Sequence, residues 1–320
     1  MLDSKIRGRL RLPVIAAPML RVSGPDLVVA ACRSGVVGSF PTANARTVEE
    51  LDQWLQDIAA RSAAGGAAYA PWCPNLIIRQ PRMQDDLACL VRNRVEMVIT
   101  SVGSPAAVVK PLHDIGALVL ADVATVKHAE KALEAGADGL VLLTAGAGGQ
   151  TGWMNGFAFV RAVRAMFDGP VVLAGGVTDG ASLLAAEALG CDLAYMGTRF
   201  IATHESMAAD AYKQMLVSSS MDDVVLTKAF TGLQTNMLRP SIVAAGLDPE
   251  RLDEQVSAQT AKQMFGGGSQ APGPKRWVDI RSAGHSVSGV SRVEPVAALV
   301  DEIAAQYAAA KARMLAALAS

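Results

Sequence analysis

Residues 170–203 read PVVLAGGVTDGASLLAAEALGCDLAYMGTRFIAT, and this stretch decides the fold. PVVLAG (170–175) and LAYMG (193–197) are short apolar runs, each closed by glycine. Runs without polar alternation suit strands buried on both faces, as in a parallel sheet. Between them SLLAAEALGCD has the apolar spacing of a helix and stops at Gly190. A glycine there fits the position after a helix where positive φ is often required. The stretch is therefore one βα unit followed by the next strand.

The same alternation extends back to the N-terminus. Further runs are PVIAAP (13–18), VVGSF (36–40), AAYAPWCPNL (67–76), MVITS (97–101), ALVLAD (117–122) and GLVLLT (139–144). With the first two they make eight, separated by helix-like segments. TVEELDQWLQDIAARS opens on a capping-box pattern, Thr47 followed by Glu50. TVKHAEKALEAGAD puts Val126, Ala129 and Leu133 on one face and ends at Gly136. Eight consecutive βα units predict an α/β fold of the closed (β/α)8 TIM-barrel type. An open doubly wound sheet is the alternative. It usually has a glycine-rich turn after its first strand, whereas here APMLRVSGPDL follows and lacks GxGxxG.

The alternation breaks over residues 218–276, where SMDDVVLTKAF and PERLDEQVSAQTAKQMF read as short polar helices. This segment is expected to be a helical lid or substrate subdomain over the barrel mouth. Its Gly/Pro-rich end, 266–275, reads as a flexible loop. Residues 1–217 and 277–320 then form the barrel, ending in an Ala-rich helix from Pro295 that closes the barrel side or supports a homodimer.

Hydrophobic residues make up 51% of the 320 positions, enough for a large core, and the formal net charge of −1 offers nothing to nucleic acid or an anionic membrane. No apolar run reaches the roughly 18 residues of a membrane span, and the N-terminus lacks a secretory pattern, so the expected location is the cytoplasm. Cys32, Cys73, Cys89 and Cys191 form no CxxC pair and have no histidine at ligand spacing. They read as buried thiols of a reducing compartment, with no metal site expected. Cys73, beside PNL, is expected to line the pocket without reacting.

Gly175–Gly176 and Gly197–Thr198 stand at the seventh and eighth strand ends, one βα unit apart. In many barrels these loops bind phosphate, because glycine lets backbone N–H groups approach the anion. Thr198 adds a hydroxyl donor.

AGGVTDG followed by YMGTRFIAT resembles the nitronate monooxygenase family (formerly 2-nitropropane dioxygenases). PVIAAPM is similar to that family's first strand, AACRSGVVGSF to its second unit, PNL (74–76) to its Asn-containing strand end, and RSAGHSVSGVSRVEPVAALV (281–300) to its SAGQ-type segment at the active site. The resemblance implies an FMN-dependent oxidoreductase. It implies FMN phosphate contacts from Gly175, Gly176, Gly197 and Thr198, a flavin ring near Ala17, Pro18 and Met19, and a flavin hydrogen bond from Asn75.

Two departures bear on catalysis. The family's Gly-Gly-His-x-Gly loop reads AGAGGQTGW here, with Gln150 in place of the histidine expected as base. Glutamine can hydrogen-bond a substrate oxygen but cannot take a proton near neutrality. Asp122 stands where some relatives have lysine, and is read either as a base or as a capping residue at a strand end. His285, in the SAG segment, is the histidine best placed as an acid, base or substrate contact. His113 and His128 read as surface residues, His204 as a solvent or phosphate contact, Tyr195 as core, and Trp153 as either a loop anchor or a stacking platform.

Three functional readings follow. The first is a flavoenzyme that oxidises a small nitronate with O2. The second is an NAD(P)H-dependent reductase or dehydrogenase of an enoyl or hydroxyacyl thioester or a quinone. The third is a non-catalytic barrel that binds flavin or a phosphate ligand.

Overall fold

The computed structural model describes residues 1–64, 69–266 and 273–319. Two sequence expectations touch positions outside these, the first two residues of the 67–76 run and positions 267–272 of the Gly/Pro-rich loop.

The strands in chain order are β1 (Val14–Ala16), β2 (Val37–Pro41), β3 (Trp72–Ile77), β4 (Met97–Ser101), β5 (Leu118–Val123), β6 (Gly139–Leu143), β7 (Gly149–Gln150), β8 (Val171–Ala174), β9 (Leu193–Met196), β10 (Val224–Thr227) and β11 (Thr235–Leu238). β1–β6, β8 and β9 pair in parallel and close on themselves, since β1 also pairs with β9 with Ile15 opposite Tyr195. The expected eight-stranded barrel is the observed one, and all eight apolar runs are its strands.

Each strand alternates its side chains between two cores. Ile15, Cys73, Ile99, Leu120, Val141, Val172 and Leu193 fill the barrel interior. Their neighbours, such as Ala121, Leu140 and Ala194, face the surrounding helices. Full burial on both faces explains why the strands read as continuous apolar runs.

Local signals set the helix limits. The Thr47 side chain accepts from the Glu50 amide at the start of Val48–Ala63. The Glu50 carboxylate reaches the Arg46 amide at 2.6 Å, one residue before the cap. Gly136 and Gly190 follow the helices Val126–Glu134 and Gly180–Leu189 with φ of 91° and 105°, as expected. The C-terminal helix spans Val296–Ala319 and packs on Gly180–Leu189. A methyl group at Gly180 would lie 2.0 Å from the Tyr307 backbone nitrogen, so only glycine permits that approach.

Residues 218–276 are not purely helical. SMDDVVLTKAF, read as a helix, contains strand β10, because Val224 and Val225 favour an extended chain and pair with Leu238 and Met237 of β11. β11 pairs in turn with β7, so this segment forms a three-stranded antiparallel sheet with the loop after β6. Helices are present at Arg239–Ala244 and Ala258–Phe265.

Candidate functional site

The barrel alternation builds the floor of one cavity of about 930 Å3 at the strands' C-terminal ends. One step beyond the interior apolar row, the inward positions are Ala17, Asn75, Ser101, Asp122, Ala174 and Tyr195, and all line this cavity. Asn75 is 5% exposed, and its Oδ1 accepts from the Ser101 hydroxyl at 3.1 Å. Tyr195, read as core, packs partly on the interior cluster and also reaches the cavity. Cys73 lies one step deeper, fully buried, and does not line the cavity. The inward row therefore turns from apolar to polar between Cys73 and Asn75.

Asp122 is the chemically unusual member of the floor. Its Oδ1 is inaccessible and has no hydrogen-bond partner among the described residues. Burial alone pushes its carboxyl up to about 7. Tyr195 and Cys73 are the titratable groups facing it, and burial also holds both well above their usual ranges. Asp122 caps no helix. Thr125 caps the following one, so the capping alternative is set aside.

The loop after β1 is tied down on the cavity edge. The Ala17 amide donates to Met196 O, and the Met19 amide to Ser23 Oγ at 3.0 Å. Ala17, Pro18 and Met19 all line the cavity.

The glycine turns after β8 and β9 close another side. Gly175 and Gly176 have φ of 116° and 76°, and their amides donate to no protein acceptor among the described residues. A methyl group at Gly175 would lie 2.4 Å from Thr144 Oγ1, while one at Gly176 would meet nothing within 4 Å. Gly175 thus serves close loop packing, and Gly176 presents open backbone to the cavity. Gly197 and Thr198 sit beside them on the wall. The Thr198 hydroxyl oxygen accepts from the Gly284 amide at 3.0 Å, which leaves its proton free to donate. Free amides plus a hydroxyl donor fit a phosphate. Sequence reading had not assigned Gly284 this role.

Gln150 lies on β7 opposite Thr235 and lines the cavity with an exposed side chain. Asn236, next to Thr235, holds the same loop by donating to Ala145 O at 3.0 Å and Ala147 O at 2.7 Å.

His285 does not line the cavity. It begins a short 3-10 turn, its amide donates to Gly146 O at 3.0 Å, and its ring packs behind the Gly146 turn. A methyl group at Gly146 would lie 3.4 Å from His285 Nδ1 and 3.3 Å from the Gly176 amide nitrogen. The segment borders the site, but its polar wall members are Arg281, Ser282 and Ser286.

His113 is exposed and pairs with Asp138 at 2.9 Å, and His204 is exposed and off the wall. His128 is exposed but stands on the cavity rim with Lys131 and Arg79, neither of which sequence reading singled out. Trp153 is 73% exposed and off the wall, so it neither anchors its loop nor lines this cavity. All four cysteines are free and buried. Among the described residues no acidic, cysteine or histidine cluster could hold a metal. No described helix is long and apolar enough to cross a membrane.

The sequence pattern of the nitronate monooxygenase family matches residues 68–306. The chain is 28% identical over 234 residues to a (3aS,4S,5R,7aS)-5-hydroxy-7a-methyl-1-oxo-octahydro-1H-indene-4-carboxyl-CoA dehydrogenase of Mycobacterium tuberculosis, covering 72% of this chain and 64% of that protein. It is 27% identical over 283 residues to a nitronate monooxygenase of Paraburkholderia phytofirmans, covering 74% and 76%. Among solved structures, FabK from Thermotoga maritima superposes with a TM-score of 0.83 at 24% identity, covering 99% of each chain, which supports the fold alone. The match to the first of these relatives spans less than two thirds of that protein's length. With the family pattern covering most of its length, the chain belongs to the nitronate monooxygenase family.

Proposed function

We propose that this protein is an FMN-dependent oxidoreductase that oxidises a small nitronate with O2. The observation that carries the reading is the pair of glycine turns after β8 and β9, with the Gly175 and Gly176 amides free to donate, opening on the same cavity as the loop after β1. The amides of Gly175 and Gly176, the Gly197 turn and the Thr198 hydroxyl would hold the FMN phosphate. Ala17, Pro18 and Met19 would border the ring, and Asn75, already fixed by Ser101, would hydrogen-bond it. Bound there, FMN supplies two-electron chemistry, while the protein supplies position and electrostatics.

Gln150 orients substrate by donating from its amide to a nitronate oxygen. A nitronate is already deprotonated, so this chain needs no base at position 150. Asp122 holds the proton at the cavity floor, since burial keeps its carboxyl largely neutral below pH 7. His285 acts as a positioning residue behind the Gly146 turn. Residues 218–276 serve as a lid, because Thr231, Leu233, Gln234 and Arg276 reach the cavity wall from it. The four buried free thiols suit a cytoplasmic protein. Met314, Leu315 and Leu318, exposed on the last turns of the C-terminal helix, suit a homodimer contact.

A second reading, an NAD(P)H-dependent reductase or thioester dehydrogenase, is favoured by the loss of the family base at Gln150 and by the hydroxy-indene-carboxyl-CoA dehydrogenase among the relatives. The deciding experiment mixes FMN-loaded protein anaerobically with propionate 3-nitronate and follows flavin absorbance. Bleaching within seconds supports nitronate oxidation. A spectrum unchanged by nitronate but bleached by NADH or NADPH transfers the assignment to the second reading. A protein that never retains FMN overturns both and favours a non-catalytic barrel.

A further inference from the structure

The charge of the cavity wall contrasts with that of the chain. The chain's net charge is −1, yet its wall carries Arg79, Lys131, Arg276 and Arg281, with Asp122 as the single acid among the described residues. None of the four cations forms an ion pair among the described residues. Arg276 donates to Phe230 O, and Arg281 lies 5.3 Å over the Tyr212 ring, so these two are engaged by the inserted segment and by the helix Asp210–Val217. Arg79 and Lys131, with neighbouring His128, have side chains without a hydrogen bond or ion pair among the described residues.

Their place in the barrel ring is specific. The strand order is β1-β2-β3-β4-β5-β6-β8-β9, so the loops after β3 and β4 lie across the mouth from the glycine turns after β8 and β9. Arg79 follows β3, and His128 and Lys131 belong to the helix after β5. The loop after β4 fills the gap between them. Its Val102 has φ of 54°, rare for a β-branched residue, and lines the cavity. Such strain persists where the surroundings over-determine it, often at ligand clamps. A methyl group at Gly103 would lie 2.8 Å from the Ile78 side chain, so this loop packs tightly against the segment that carries Arg79.

Arg199, next to Thr198, is turned into ion pairs with Glu294 and Glu302 at 3.6 and 3.3 Å. A cavity of about 930 Å3 is near the top of the roughly 300–1,000 Å3 range of small-molecule pockets, ample for more than one ligand.

The geometry points to a second anion site at Arg79, Lys131 and His128, which takes the diphosphate of a nucleotide-bearing co-substrate while FMN occupies the glycine turns. The inference rests on the FMN reading and extends it. Two molecules carry this chemistry, a nicotinamide dinucleotide and a CoA thioester, and both present an adenosine diphosphate unit.

The test titrates FMN-loaded protein with ADP, CoA, NADPH and inorganic phosphate, reading heat of binding and flavin absorbance together. ADP should bind with FMN retained, and an Arg79→Ala/Lys131→Ala double variant should weaken ADP about tenfold or more with FMN affinity unchanged. Tighter binding of CoA than NADPH assigns the site to a thioester, and the reverse order to a hydride donor. Absence of heat from all three nucleotides, ADP binding that releases FMN, or ADP binding indifferent to the double variant each overturns the site. The same titration on FMN-free protein separates the two readings. Failure to bind FMN refutes the flavin assignment, while ADP binding that depends on Arg79 and Lys131 upholds the rim site.

Discussion

The Gly284 amide donates to the Thr198 hydroxyl oxygen at 3.0 Å, joining the turn after β9 to the SAG segment across 86 positions of sequence. This bond uses the hydroxyl as an acceptor and leaves its proton free to donate. On the proposed FMN reading it would couple phosphate binding to the docking of the C-terminal segment. Thr198→Val should lower stability by about 1–3 kcal/mol, because a buried amide is left without an acceptor. FMN affinity should fall roughly fivefold to tenfold with the lost donor, and Thr198→Ser should recover most of both. Denaturant melts and FMN fluorescence titration check this. A valine variant with unaltered FMN affinity would remove Thr198 from the phosphate site.

Gly176 offers a cleaner separation of binding from folding. Its φ of 76° strains any other residue, but the space around it is open. Gly176→Ala should cost about 1–2 kcal/mol in stability, the penalty of left-handed backbone. Its methyl would project beside the exposed amides and weaken FMN by about tenfold or more. Equal FMN affinity in the alanine variant would mean that the phosphate lies elsewhere.

Asp122 makes stability depend on pH with a definite sign. Its carboxyl moves from the ordinary 3.8 to about 7 on folding. Between those values the native state keeps a proton that the unfolded chain has lost. The stabilising contribution is complete below 3.8 and disappears as pH rises through about 7. Asp122→Asn should therefore show a flatter melting temperature over that window than the wild type. Parallel profiles for the two proteins would refute the raised value.

Gln150→His tests whether the departure at this position restricts the chemistry. The variant restores a titratable group on β7, at the cavity wall. It should gain turnover of neutral nitroalkanes, which need proton abstraction, with a rate rising as pH passes about 6.5. A general base contributes on the order of 10²–10⁴ in rate. Nitronate turnover should change far less. A variant no better than wild type on nitroalkanes would show that the substrate's proton does not face position 150.

Asn236→Ala examines the coupling between the inserted sheet and this loop. Two hydrogen bonds to Ala145 O and Ala147 O are lost, for about 1–3 kcal/mol in stability. The Gln150 loop should then exchange amide hydrogens faster while the barrel strands keep their protection. Unchanged exchange over 145–150 would mean that β11 pairing alone holds the loop.

The barrel and its glycine turns were legible from residue order, because both are local patterns. Apolar runs at βα spacing with glycine stops specify strands buried on two faces, and positive φ is a property of one residue. The Thr47 cap and the C′ glycines Gly136 and Gly190 belong to the same class. Tertiary structure alone decided what distant residues do to one another. β10 was misread as a helix because its extended form depends on pairing with β11. His285 sits behind Gly146, not on the wall, because its ring direction is set by a turn packed from more than 130 positions away. The Asp122 carboxyl is pushed up to about 7 only because barrel closure buries it against Cys73 of β3 and Tyr195 of β9, with no donor to its Oδ1 among the described residues. The rim of Arg79, His128 and Lys131 exists only because the barrel ring brings the loop after β3 and the helix after β5 to one mouth. Local backbone preference is written residue by residue, whereas burial, charge proximity and missing partners are properties of the closed ring.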